Sequence, residues 1–246
     1  IQVIVTIFLV LSGINYTAYF YILSYKFKEA FRIEEVRWYL IIFFSAVAVI
    51  TFNIRGLYDT FSESLRHAAF QVASIITTAG FATTDFDVWP ELSKCILVII
   101  MIVGSCSGST AGGMKISRVV MLLKTIKKEL SLIVHPREVR KIRMDGRVLD
   151  HETLRNTNVF FVVYFVILLT STLLISIDNF DFTTNFTATI ATLNNIGPGL
   201  AMVGPTQNFS IYSTFSKFIL MFNMLAGRLE LFPLVVMMLP STWKRK

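Results

Sequence analysis

The sequence predicts an all-α polytopic membrane protein assembled from repeated units, each a span, a short helix and a second span. Three observations carry that expectation. Only 16% of the 246 residues are charged, against about 25% in ordinary soluble domains, and the mean hydropathy is +0.64. Uncharged runs of membrane length recur at Ile1–Tyr25, Trp38–Ile54, Cys95–Met114 and Asn156–Ile177; a helix needs roughly 17–25 apolar residues to cross the hydrocarbon core. Finally, two half-length segments each end on a polar run and a glycine, at Thr77-Thr78-Ala79-Gly80 and Asn194-Asn195-Ile196-Gly197.

In chain order, Ile1–Tyr25 reads as the last span of a preceding unit, since no charged leader comes before its apolar run. Residues 26–37 form a connection and 38–122 a complete unit whose second span is interrupted. A basic linker covers 123–154, a second complete unit 155–240, and a tail 241–246. Lys26, Lys28, Arg32 and Arg37, then ten Lys and Arg between Lys115 and Arg147, then Lys244, Arg245 and Lys246, mark three segments as cytoplasmic by the positive-inside rule. The net charge of +7 belongs to these segments. It suits anionic lipid headgroups and gives no reason to expect a nucleic-acid partner.

The two units show an internal repeat of hydropathy and punctuation. Gly80 and Gly197 lie 117 residues apart, and the same offset carries Thr78 onto Asn195 and Ala82 onto Gly199. In the first unit Thr60 and Glu63 have capping-box spacing, which predicts a helix of about 15 residues ending near Thr77. At roughly 22 Å it is too short to cross. Asp181, Thr183 or Thr184 can cap a similar helix ending near Leu193. A helix that stops inside the membrane leaves irregular backbone there, which is tolerated only in protein or beside a watery cavity. Its C-terminal end carries partial negative charge and favours a cation. Backbone carbonyls and Thr hydroxyls can replace an alkali ion's hydration shell, and glycine permits the φ/ψ values that aim successive carbonyls one way. The alternative is a re-entrant turn whose small residues serve only packing.

The segment Gly104-Ser105-Cys106-Ser107-Gly108-Ser109-Thr110-Ala111-Gly112-Gly113 holds four glycines in ten residues, each costing about 1 kcal/mol against Ala in a helix. A break is expected there, below the glycine turns, with a close helix–helix contact as the alternative. Arg228 and Glu230 lie in the last apolar run, two apart and so on different helix faces; ionisable groups at that depth suggest function, with a structural pair as the alternative. Cys95 and Cys106 read as reduced structural thiols. His67, His135 and His151 lack metal-ligand spacing, and no nucleophile–base arrangement points to an enzyme.

Four motifs, TTAGFATTDF, GSCSGSTAGGMKISR, TLNNIGPGLAMVGP and MLAGRLELFP, together give a resemblance through nearly the whole chain. The sequence resembles the C-terminal half of the bacterial Trk-type potassium uptake subunits of the Trk/Ktr/HKT superfamily. That resemblance implies four units about a pseudo-fourfold axis in a K⁺-channel-like architecture, of which this chain holds the third and fourth. It implies K⁺ as the transported ion with no covalent cofactor, carried by Thr78, Ala79 and Gly80 and by Asn195, Ile196 and Gly197. K⁺ sits at Thr78, Ala79, Asn195 and Ile196, while Thr77, Phe81, Asn194 and Pro198 shape the filter's ends. Gly104, Gly108, Gly112 and Gly113 belong to a gate loop, and Arg228 lies by the pore with Glu230 near it. The implied partners are the N-terminal half of the same subunit, a second copy in a homodimer, a cytoplasmic nucleotide-binding regulatory protein and membrane lipid; the implied location is the bacterial inner membrane. From the residues alone, a secondary carrier driven by Na⁺ or H⁺ and a non-transporting scaffold with re-entrant loops remain the rival readings.

Overall fold

The computed structural model describes residues 1–136 and 141–228. The chain starts with α1 (Gln2–Ser12) and α2 (Tyr16–Leu23), which meet at a bend of 97°. The first apolar run is therefore two helices rather than the single span its length suggests. Asn15 is the cause: in an extended conformation, its side chain accepts the Thr17 N–H at 2.8 Å and starts a new helix. The Tyr39 hydroxyl fixes the elbow by donating to the Val10 carbonyl at 2.9 Å.

After the short α3 (Phe27–Arg32) come α4 (Glu34–Asn53), α5 (Phe61–Ile76) and α6 (Glu91–Val103), each packed against the other two. The Thr60 hydroxyl accepts the Glu63 N–H at 3.2 Å at the start of α5. The Glu63 carboxylate turns instead toward Arg66 and His67, at 3.7 and 3.9 Å. Every residue from Phe70 to Thr77 is buried, as expected of a helix surrounded on all sides.

A second trio repeats the arrangement: α8 (His151–Ile175), α9 (Phe182–Leu193) and α10 (Thr214–Arg228) also pack each against the other two. Asp181 caps α9 by accepting the Thr184 N–H at 2.9 Å. Between the trios, α7 (Ile116–Val134) runs unbroken through the point where a span was expected to give way to a linker. A hairpin of β1 (Arg143–Met144) and β2 (Arg147–Val148) follows, with Arg143 opposite Val148. Contacts of α6 with α9 and of α7 with α8 join the trios around one core that includes Tyr39, Ile50, Trp89, Met101, Tyr164 and Leu193.

Among the described residues two helices are long and apolar enough to cross a membrane, Glu34–Asn53 and His151–Asp178, with mean hydropathies of 1.7 and 2.5. The bent pair α1–α2 makes a third if taken as one span. The expected run Cys95–Met114 is cut at Gly104, where φ is +71°.

Candidate functional site

Both short helices stop in the same way. At the end of α5 the Thr78 N–H donates to the Ile75 carbonyl at 3.0 Å and the Ala79 N–H to Ser74 at 2.9 Å. At the end of α9 the Asn195 N–H donates to Thr192 at 3.1 Å and the Ile196 N–H to Ala191 at 2.8 Å. This pair of bonds is the Schellman termination, which requires a left-handed residue just past the helix. Thr78 and Asn195 supply it, with φ of 56° and 55°. Two residues on, Gly80 and Gly197 also have positive φ, +75° and +114°.

The turns meet. A Cβ on Gly80 would overlap the Ile196 carbonyl, and one on Gly197 would lie 3.9 Å from the Gly80 Cα. The polar side chains around this meeting point already have protein partners. The Thr77 hydroxyl donates to Ala73 at 2.7 Å, and the buried Asn194 amide donates to the Tyr164 hydroxyl at 2.9 Å and to the Ile190 carbonyl at 3.0 Å. Asn195 donates to the Met224 carbonyl at 3.0 Å, while the Thr78 hydroxyl accepts the Gly112 N–H at 3.0 Å. The backbone oxygens are different. Among the described residues, no carbonyl from Thr77 to Gly80 or from Asn194 to Gly197 accepts a hydrogen bond. Phe81 and Gly197 are exposed, while Ala79 and Pro198 are half-buried.

The glycine-rich segment lies directly against these turns as a compact loop. Its ends close together, since a Cβ on Gly104 would come within 2.8 Å of the Gly112 carbonyl and one on Gly113 within 3.1 Å of the Gly104 Cα. Gly112 is wedged between the turns: its N–H reaches Thr78, and an added Cβ would overlap the Asn194 carbonyl. Other elements hold the rest of the loop. The Cys106 N–H donates to Gly13 at 3.2 Å, the Tyr16 N–H donates to the Gly108 carbonyl at 3.3 Å, and the Ser107 N–H donates to the Glu35 carboxylate. Arg228, exposed at the end of α10, donates to the Thr110 carbonyl at 3.2 Å. A cavity of about 270 Å³ opens beside it, lined in part by Thr110, Gly112, Lys115, Arg118, Asn194 and Arg228. Glu230 lies outside the described residues.

Comparison with known proteins places this architecture. The family model described as TrkH, cation transport protein, matches residues 1–244. The chain belongs to the TrkH family. It is 37% identical to the Trk system potassium uptake protein TrkH of Salmonella typhimurium and 36% identical to that of Escherichia coli, covering 99% of this chain and 51% of each relative. The crystal structure of the potassium transporter TrkH from Vibrio parahaemolyticus superposes with a TM-score of 0.89 at 32% identity, over 99% of this chain and 53% of that one. The chain thus spans about half the length of the curated relatives it matches.

Within this TrkH-family half, several residues near the site escaped sequence reasoning. Glu35 is 3% exposed, although a carboxylate near the start of a span would ordinarily face water. The signal was present: Glu35, Tyr39, Phe43, Ala46 and Ile50 follow helical spacing, and all are buried. Gln71 and Ser74 on α5 are also fully buried, and their side-chain polar atoms have no partner among the described residues. His67, which lacks metal-ligand spacing in the sequence, stacks on Tyr58 and lies 3.0 Å from the Thr83 hydroxyl.

Proposed function

We propose that this chain is the half of a potassium-translocating subunit that supplies two of four filter segments, at Thr77–Phe81 and Asn194–Pro198. One observation carries the reading: two matched turns converge, and the four backbone oxygens of each, Thr77 to Gly80 and Asn194 to Gly197, accept no hydrogen bond among the described residues. Backbone carbonyls away from bulk water need partners, and a dehydrated cation is the partner that a group of converging carbonyls suits. Because the polar side chains are engaged elsewhere, K⁺ is held by the carbonyls of Thr78, Ala79, Asn195 and Ile196. The potassium uptake named for the relatives supports the choice of ion.

In this reading each helix trio is a span–pore-helix–span unit, and the missing half of the subunit supplies the other two about a pseudo-fourfold axis. The loop Gly104–Gly113 lies below the filter as a gate, and Arg228 adds positive charge beside the path. The subunit resides in the inner membrane as a homodimer with a cytoplasmic nucleotide-binding regulatory protein.

Rb⁺ uptake into proteoliposomes by the full-length subunit, with K⁺ or Na⁺ as competitor, tests this function. Uptake suppressed by K⁺ more strongly than by Na⁺ is expected. A scaffold would pass no ion, and a carrier would require a Na⁺ or H⁺ gradient. Residues 1–246 alone should give no uptake until the missing half is supplied.

A further inference from the structure

We infer that Glu35 is the positioning residue that clamps the glycine loop in its closed place, an inference that rests on the gate reading above. Glu35 sits in the first turn of α4, outside the loop, and is 3% exposed. Its neighbour Glu34 forms an ion pair with Lys124 at 2.6 Å. Glu35 has no such partner among the described residues. Its carboxylate instead accepts N–H groups: from Ser107 in the middle of the loop, from Ser117 just beyond it at 3.2 Å, and from the Asn15 side chain at 3.3 Å.

The first two bonds go to the same oxygen from points ten residues apart, so one carboxylate oxygen spans the second half of the loop. The Ser117 amide belongs to the first turn of α7, whose own N-cap, Lys115, offers no side-chain cap. Glu35 therefore supplies from another helix the acceptor and negative charge that a helix start requires. The third bond ties the carboxylate to the elbow between α1 and α2, where Asn15 also begins α2. A hydroxyl contact between Ser107 and Ser117 closes the same cluster.

Bonds from backbone N–H groups to an ionised carboxylate are roughly twice as strong as neutral ones. If the loop moves aside, the Ser107 donor must leave a carboxylate that stays buried beside Ser117 and Asn15. Burying that charge costs free energy, and its placement makes sense if it holds a segment that must stay put until released. Cys106 is a native reporter: it adjoins Ser107, is 0% exposed and has a free thiol.

The test uses the full-length subunit in a Cys95→Ser background, isolated as folded protein and reconstituted with and without its regulatory partner. Glu35→Gln keeps the shape but removes the charge. It should raise partner-free Rb⁺ uptake several-fold, bring the ratio of uptake with partner to uptake without it toward one, and speed labelling of Cys106 by a small water-soluble maleimide several-fold. Glu35→Asp, with charge kept and reach shortened, should fall between wild type and Glu35→Gln, and it decides on the same readouts if Glu35→Gln gives no folded protein. A wild-type ratio with Cys106 still protected overturns the inference. So does lower uptake at an unchanged ratio, the result of a merely structural role. Deleting several residues between Ser105 and Ala111 serves as the reference. If the deletion raises partner-free uptake and Glu35→Gln does not, the clamp alone is wrong; if the deletion raises nothing, the gate reading fails and the clamp falls with it.

Discussion

Thr78 and Asn195 occupy the same place in two turns with φ of 56° and 55°, but they meet that backbone on different terms. Asparagine tolerates the left-handed region, whereas a β-branched residue there is a true outlier. Asn195 also spends its side chain on the Met224 carbonyl of its own trio. Thr78 instead spends its hydroxyl on the N–H of Gly112, in the loop. The second turn is thus held within its own unit, while the first leans on the loop beneath it. The helices behind them differ in the same direction. Gln71 and Ser74 in α5 correspond by position to Ala188 and Ala191 in α9, so among the described residues α5 carries unpartnered buried polar atoms where α9 has only methyl groups. Two copies of one backbone therefore have different dependence on the loop, and a moving loop would reach the first turn before the second.

The sharpest way to break this comparison is at the glycines. Gly80→Ala should abolish Rb⁺ uptake, because its Cβ would overlap the Ile196 carbonyl on backbone already at φ +75°. Gly197→Ala meets only the Gly80 Cα at 3.9 Å, so its cost is the φ of +114° alone and part of the uptake should survive. Equal losses, measured per folded protein, would mean that the turns do not meet as described.

Exchanging the left-handed residues should have the next largest effect. Asn195→Thr loses the bond to Met224, about 1 kcal/mol, and takes on left-handed strain of about 1–2 kcal/mol. A loss of about 2–3 kcal/mol in thermal unfolding is expected. Thr78→Asn relieves the corresponding strain and should leave stability nearly unchanged or higher. If both exchanges destabilise alike, the asymmetry between the turns is wrong.

Much of this local geometry was legible in the sequence because its causes are local. Thr60 announces the first helix start, the group Asp181, Thr183 and Thr184 the second, and Gly80 and Gly197 the turns, through chemistry within a few residues. The anchoring of the α1–α2 elbow by Tyr39, the burial of Glu35 and the grip of Gly112 on Thr78 depend on partners 20 to 82 residues apart. Hydropathy could not reveal them, since a run such as Ile1–Tyr25 reads alike whether straight or bent.

Smaller effects separate the two caps. Thr60→Ala and Asp181→Ala should each cost about 1 kcal/mol, but only the second cap responds to acid. The Thr184 hydroxyl, followed by backbone N–H groups, holds the Asp181 carboxyl below its ordinary value. Its contribution is therefore complete above the unfolded value of about 4 and is lost as pH falls through the lowered folded value. Melting curves of wild type and Asp181→Ala should converge at low pH, while the Thr60→Ala difference should persist. The smallest effect is expected from Gln71→Met. Removing an unpartnered buried amide should be neutral or stabilising by a few tenths of a kcal/mol, and a clear loss in the same melting experiment would reveal a partner for Gln71.

The central claim, that the unpaired carbonyls of the two turns hold the transported ion, is tested most directly by anomalous X-ray diffraction from crystals of the full-length subunit grown with Rb⁺ in place of K⁺. The account predicts Rb⁺ peaks between the turns, within ligand distance of the carbonyls of Thr78, Ala79, Asn195 and Ile196, that disappear in Na⁺. Rb⁺ absent from the turns, in protein shown to transport it, would contradict the account.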